Sequence, residues 1–304
     1  MNDTKSPVTK IAVVGCGMMG RGIIEVAALS NVSVTAIKAT PGDLSAPKAG
    51  IEKSLARRVK KGKLTEDQCQ DIMNKITFTT DLNAVSDAQI VIESAVEDET
   101  LKIELLKDIE SKMSAAGILC TNTSSILLEK LAEHLARPEK FLGLHFFSPV
   151  PAMALVELGM TGLSSDEAAD IASKFCEQIG KTVVPIKSSA GYVVNRLLVP
   201  FILHGIETLE SGIADAQGID NAMKLGCAHP MGPLALADLI GLDVVHAMAI
   251  TLKKELGDQR YNMPKTLAQL NEANQLGRKS GMGIYDYSGE APVLNPSIKL
   301  TKVA

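Results

Sequence analysis

At 304 residues, with 46% hydrophobic and 22% charged residues, the chain is long enough for two globular domains and too ordinary in composition to be disordered or fibrous. A formal net charge of -4 and a pI near 5.8 argue against general nucleic-acid binding, which needs a basic footprint to neutralise phosphates. The five cysteines, Cys16, Cys69, Cys120, Cys176 and Cys227, are scattered without a Cys-x-x-Cys pair, so neither a metal site nor a disulfide framework is expected, and they read as thiols in a reducing cytoplasm. Residues 1–9 hold no apolar signal-peptide core, and nowhere do about eighteen apolar residues run together, so neither a targeting signal nor a membrane span is expected.

From residue 10 to about residue 184 short β-branched runs alternate with helical stretches, the pattern of an α/β fold whose parallel sheet is covered on both faces. The first strand is predicted at residues 11–14. Gly15-x-Gly17-x-x-Gly20 follows it and opens a helix continuing through Ile23, Ile24 and Ala27, the setting of a Rossmann dinucleotide site. Gly15 permits the tight turn, Gly17 lets the backbone approach a pyrophosphate, and Gly20 lets helix pack on strand, while Met18 and Met19 share the loop as candidate cofactor contacts. The second strand, residues 32–37, ends on Lys38 where an NAD site expects an acid. A cation there attracts the 2′-phosphate of NADP, with Thr40 as a further donor; the alternative is a solvated Lys38, with Asp43 reaching back to the ribose. The sign of the charge favours NADP among the two forms of NAD(P).

About fifty residues separate this strand from the next, too many for one helix. Ile51, Leu55 and Val59 repeat every four residues, Gly62 breaks the pattern, and Thr65 with Gln68 offers a capping box, so a helical hairpin is predicted at about residues 49–76. Further strands are expected at residues 90–93, 118–121 and 142–147. From Gly191 the strand signal disappears, and Val194, Leu198 and Ile202, continued by Ile206 and Leu209, recur at helical spacing. The small polar stretch after Pro185 reads as a linker, giving a dinucleotide-binding domain at residues 1–188 and an all-helical domain at residues 189–304.

A nicotinamide cofactor leaves the protein to supply an acid/base and groups that fix the substrate. His145 lies at the end of a predicted strand, where open parallel sheets place their ligands, although a lone His beside Phe146 and Phe147 is more often a packed core residue. Glu157, twelve residues on in an apolar stretch, needs a partner because an unpaired buried charge is costly. Paired with His145, it would orient the imidazole and help it take an alcohol proton. Asn122 and Ser124, just after another strand, and Asn195, early in the second domain, complete the polar candidates; a helix cap is the structural alternative for Ser124, and an exposed amide for Asn195.

These residues resemble the L-3-hydroxyacyl-CoA dehydrogenases, most nearly the short-chain 3-hydroxybutyryl-CoA dehydrogenases. The likeness runs through the nucleotide motif, Val91-Ile92-Glu93 to Glu97, Asn122-Thr123-Ser124-Ser125, His145-Phe146-Phe147-Ser148-Pro149-Val150-Pro151, Gly191-Tyr192-Val193-Val194-Asn195-Arg196, His229-Pro230-Met231-Gly232-Pro233 and Gly277-Arg278-Lys279-Ser280-Gly281. It implies an NAD(P)-dependent oxidoreductase interconverting (S)-3-hydroxybutyryl-CoA and acetoacetyl-CoA. By the same resemblance His145 is the acid/base, Glu157 its partner, Ser124 a hydrogen-bond donor to the reacting oxygen, and Asn195 a substrate contact. Glu97, Lys102 and Asn122 would lie along the cofactor, and Ser54 and Lys61 of the hairpin would meet the CoA. The hairpin's Lys53, Arg57, Arg58, Lys60, Lys61 and Lys63 suit a phosphorylated carrier in an acidic protein, or else form a solvated basic face. Two departures stand out: Lys38 replaces the acid of NAD-using members, and Ser148 stands where many members carry Asn. The family's use of its helical domain for dimerisation places Ala222-Met223-Lys224-Leu225 through Val244-Val245 at a homodimer interface. Two other readings remain, a dehydrogenase of a free hydroxy or sugar acid and a nucleotide-binding protein without catalysis.

Overall fold

In the computed structural model, which describes residues 7–298, the β-branched runs pair as one eight-stranded sheet in the order β3-β2-β1-β4-β5-β6-β7-β8. Its strands are β1 (Lys10–Val14), β2 (Ser33–Ile37), β3 (Ile76–Thr79), β4 (Ile90–Glu93), β5 (Ile118–Thr121), β6 (Phe141–Phe146), β7 (Leu155–Met160) and β8 (Thr182–Lys187). Residues 1–6 of the polar N-terminal stretch and residues 299–304 of the predicted second domain lie outside the described residues. Strands buried on both faces read as continuous apolar runs, which is why β1, with Ile11, Ala12, Val13 and Val14 fully buried, was the most legible. One face carries Ile11, Val13, Ile92, Leu144 and Val156 under α1 (Met18–Leu29) and α6 (Asp166–Gln178). The other carries Ala12, Val14, Val91, Leu119 and Phe141 under α4 (Glu99–Lys112) and α5 (Leu128–Ala132).

The insertion is the predicted hairpin, α2 (Ser45–Lys60) and α3 (Glu66–Asn74), and it ends in a strand, β3, that the sequence reading did not include. Ile51 and Leu55 are buried against the core, Val59 is half-buried, and the Thr65–Gln68 capping box forms in both directions at 2.9 and 3.2 Å.

The sheet is not parallel throughout. β7 runs antiparallel to β6, and β8 parallel to β7. The eight residues between Phe146 and Leu155 are too few for the crossover that a parallel neighbour requires, so the chain folds straight back. Pro185, read as the approach to a linker, lies inside β8, where the open edge of the sheet tolerates its missing N–H.

The chain divides into two compact units between Tyr192 and Val193, four residues beyond the predicted boundary. The second is built on α7 (Val194–Glu210), α8 (Ala216–Gly226), α9 (Pro233–Ile240), α10 (Leu242–Leu256) and α11 (Lys265–Glu272), with a two-residue ladder of β9 (Tyr285–Asp286) and β10 (Val293–Leu294) added to the expected helices. Ile202, Ile206 and Leu209 form the buried stripe of α7. Among the described residues no single helix is long and apolar enough to cross a membrane.

Two buried carboxylates clamp the end of this unit. Asp238 accepts from the backbone N–H groups of Ile284 and Tyr285, each at 2.8 Å, and from the Tyr287 hydroxyl at 3.0 Å. Asp220 accepts from the N–H groups of Leu234 and Ala235 and from the Tyr285 hydroxyl. Burial pushes the Asp238 carboxyl up to about 6 against the pull of those hydrogen bonds. Because its folded value lies above the unfolded one, its contribution to stability is present in full below about pH 4 and is lost as pH rises through 6, a change on the order of 3 kcal/mol. Urea midpoints followed from pH 4 to 7 are therefore expected to contain a declining component that Asp238→Asn removes. Parallel profiles for the two proteins would reject this assignment.

Candidate active site

The nucleotide cleft is built at the carboxyl end of β1, where Gly15 turns the chain into α1 at φ +111°. A Cβ on Gly15 would lie 2.3 Å from the Ser94 carbonyl oxygen, and one on Gly20 would lie 1.8 Å from the Gly15 carbonyl oxygen, so strand, turn and helix close up only with glycine at both positions. Gly17, the N-cap of α1, faces open space: a Cβ there meets nothing within 4 Å. A helix N-terminus with unsatisfied N–H groups and no side chain in front of it fits the pyrophosphate of a dinucleotide. The loop opens on a cleft of about 1120 Å³, lined among others by Met18, Met19, Lys38, Glu97, Asn122 and Ser124.

Lys38 reaches this cleft from the end of β2, its ammonium donating to the Pro41 carbonyl at 2.9 Å. Asp43 accepts from the backbone and hydroxyl of Ser45 and is not among the groups lining the cleft.

Beside the glycine loop, β4 ends in a buried ionic network. Glu93 accepts from the Lys102 ammonium with both oxygens, at 2.7 and 2.9 Å, and also from the Ala95 N–H at 2.6 Å and the Thr121 hydroxyl at 2.6 Å. Lys102 therefore lines the cleft yet directs its charge inward, with Glu97 as a second partner at 3.5 Å. Glu97 in turn organises the turn after β5. Its Oε1 accepts from the Thr123 hydroxyl at 2.7 Å, from the N–H groups of Ser124 and Ser125 at 2.9 and 3.0 Å, and from both serine hydroxyls. Burial alone would raise the Glu97 carboxyl, but Lys102 and these hydrogen bonds hold it below the ordinary carboxylate range. Ser124 caps no helix: α5 begins at Leu128, and its N-cap Leu127 makes no side-chain cap bond.

His145 and Glu157 are direct partners across the antiparallel β6–β7 ladder. The register puts both side chains on one face, and Nδ1 of His145 lies 2.8 Å from Oε2 of Glu157, with the carboxylate fully buried and the imidazole 6% exposed. Asn122 braces the same strand, accepting from the Phe146 N–H at 2.9 Å. A parallel β7 could not have produced this pairing; the short return between the strands did. Asn195 lies in the first turn of α7, in the second unit. On the hairpin, Ser54 is half-buried and Lys61 exposed, while the cation Arg58 binds the buried Glu25 at 3.0 Å. Among the described residues no cluster of His, Cys, Asp or Glu is arranged to hold a metal ion.

Residues 10–189 match the family described as the NAD binding domain of 3-hydroxyacyl-CoA dehydrogenase, and residues 191–287 match its C-terminal domain. The chain belongs to the 3-hydroxyacyl-CoA dehydrogenase family. It is 42% identical over 282 residues to a 3-hydroxybutyryl-CoA dehydrogenase of Mycobacterium tuberculosis, covering 92% of this chain and 99% of that one. A 3-hydroxybutyryl-CoA dehydrogenase of Clostridioides difficile is 40% identical over 279 residues, with 92% and 99% covered. The crystal structure of (S)-3-hydroxybutyryl-CoA dehydrogenase PaaH1 from Ralstonia eutropha superposes with a TM-score of 0.88 at 39% identity, covering 93% of this chain and all of that one.

The match to an NAD binding domain agrees with the glycine loop at the end of β1. Two residues of the site, Glu93 and Tyr192, stand in the sequence motifs without a role of their own. Glu93 ends an apolar strand as Glu157 interrupts one, so the same demand for a buried counter-charge could have found it. Tyr192, buried beside His145, left only an indirect trace in the glycines Gly143 and Gly159 within strands, where missing side chains mark a close approach.

Proposed function

We propose that this protein interconverts a short-chain (S)-3-hydroxyacyl-CoA and the 3-oxoacyl-CoA, with 3-hydroxybutyryl-CoA and acetoacetyl-CoA as the pair. The observation that carries this reading is the buried His145–Glu157 pair at 2.8 Å on the sheet of an NAD-binding family domain. The nicotinamide, when bound, supplies or receives the hydride. His145 takes the hydroxyl proton in oxidation and returns it in reduction, with Glu157 holding Nδ1 so that Nε2 is the working nitrogen. Ser124 donates to the reacting oxygen from a turn held rigid by Glu97, and Asn195 contributes to substrate binding from α7. Ser54 and Lys61 meet the CoA from the hairpin, whose excess of cations suits its phosphates and disfavours a free hydroxy acid. Loss of activity when acetoacetate replaces acetoacetyl-CoA is the expected result, and retained activity would move the substrate to the free acid. The helical unit is assigned to homodimer formation, and the protein to the cytoplasm, where its five free thiols suit a reducing medium.

NADP is the preferred cofactor form in this reading. Lys38 stands where an acid would repel a 2′-phosphate, Asp43 is engaged by Ser45, and Arg21, which lines the same cleft, has no carboxylate partner among the described residues. Initial rates of acetoacetyl-CoA reduction with NADPH and NADH at matched concentrations test it. A preference for NADPH of about tenfold, or about 1.4 kcal/mol, is expected, and Lys38→Asp should reverse it. Preference for NADH would retain the reaction and reject the role of Lys38.

A further inference from the structure

The face of the β6–β7 ladder that carries His145 and Glu157 is unevenly filled. The next facing pair on that side is Gly143 opposite Gly159, which leaves a slot beside the imidazole. Tyr192 occupies it. A Cβ on Gly143 would lie 3.0 Å from the Tyr192 hydroxyl oxygen, and one on Gly159 would lie 3.5 Å from Tyr192 Cε1, with Leu128 closing the slot at 3.0 and 2.7 Å from the same two positions. From there the phenol reaches His145 with ring centroids 5.3 Å apart, while Phe147 meets the imidazole from another direction at 4.5 Å.

This placement is unfavourable for Tyr192 itself. Its backbone sits at φ +48°, a left-handed conformation rare for a bulky residue, in a turn closed by its N–H on the Ser189 carbonyl. Its hydroxyl is buried without a hydrogen-bond partner among the described residues. Burial, reinforced by Glu97, Glu157 and Glu129, pushes the phenol far up, so the ring stays neutral beside the histidine. Strained backbone and an orphaned hydroxyl at one position call for a compensating role, and packing alone does not require a tyrosine there.

We propose that Tyr192 is a positioning residue whose ring, seated in the Gly143/Gly159 slot, fixes the plane of the His145 imidazole. The hydrogen bond to Glu157 holds Nδ1 but leaves the imidazole free to rock about the Nδ1···Oε2 axis, and the Tyr192 and Phe147 rings remove that freedom. The proposal rests on His145 being the acid/base. Steady-state kinetics of acetoacetyl-CoA reduction across pH, with thermal unfolding of each protein, test it. Tyr192→Phe keeps the ring and discards the orphaned hydroxyl, so kcat and its pH midpoint are expected to hold while Tm rises. Tyr192→Leu is expected to lower kcat by about tenfold or more, with KM little changed and the pH profile displaced. Gly143→Ala, whose methyl would press on the phenol oxygen and on both Leu128 methyls, should lower kcat, and Gly143→Ala/Tyr192→Phe should recover the part that arises at the phenol. Unaltered kcat and pH profile in Tyr192→Leu would overturn the proposal, as would a Phe variant as damaged as the Leu variant. Should Tyr192→Leu fail to fold, Tyr192→Met takes its place, and unaltered kcat and pH profile there would do the same. Retained turnover in His145→Ala would instead remove the reading beneath it, whatever the Tyr192 variants show.

Discussion

His145→Ala is expected to lower kcat for acetoacetyl-CoA reduction by about 10²–10⁴-fold, the usual worth of a positioned acid/base, while binding of the dinucleotide is retained. The expectation follows from location: His145 ends a buried strand on the sheet face it shares with Glu157, and the glycine loop that fits the dinucleotide lies on other elements. Glu157→Gln isolates the charge. Glutamine preserves shape and an oxygen for Nδ1 but withdraws the negative charge beside the imidazole, so kcat should fall by at least about tenfold. Since the two residues act as one unit, the double variant should be scarcely worse than His145→Ala alone. Unchanged turnover in His145→Ala would move the acid/base role to another group, whereas absence of turnover in the parent would leave a nucleotide-binding protein without this catalysis. Unchanged kinetics in Glu157→Gln would return Glu157 to a purely structural role.

The largest loss of stability is expected from Lys102→Met. Its ammonium is 1% exposed and lies within 2.7 and 2.9 Å of the two oxygens of Glu93, which is itself fully buried. Methionine fills the volume but strands a carboxylate in the core, at a cost of about 3–5 kcal/mol. Glu93→Gln in the same chain removes the stranded charge and should recover a large part of it, because the penalty belongs to the unpaired ion and not to the missing bond. The consequence extends to the chemistry, since Lys102 also faces Glu97, which holds Ser124 and Ser125 by their backbone and side chains. Urea unfolding measures the first effect and kcat the second. A single variant within about 1 kcal/mol of the parent would show that water or a rearranged neighbour reaches Glu93.

Much of this architecture was legible from local pattern. The alternation of apolar runs and helices marked the sheet, the glycine spacing marked the nucleotide turn, and Thr65 with Gln68 marked the start of α3. Glu157 could be matched to His145 because a carboxylate in an apolar run demands a counterpart, and the structure joins the two. Such signals survive because they are written over a few residues, or because burying a charge is so costly that few partners are admissible.

What the sequence by itself determined is therefore the kind of elements, their order and the family to which they belong. Tertiary structure alone decided which distant groups meet: that β7 turns back to set Glu157 opposite His145, that Lys102 spends its charge on Glu93, that Glu97 gathers the Ser124 turn, and that Tyr192 fills the gap left by two glycines. The physical reason is one of range. Propensity and periodicity act over one turn or one strand, whereas these contacts depend on strand register, and a slip of one residue would have turned His145 and Glu157 to opposite faces of the sheet.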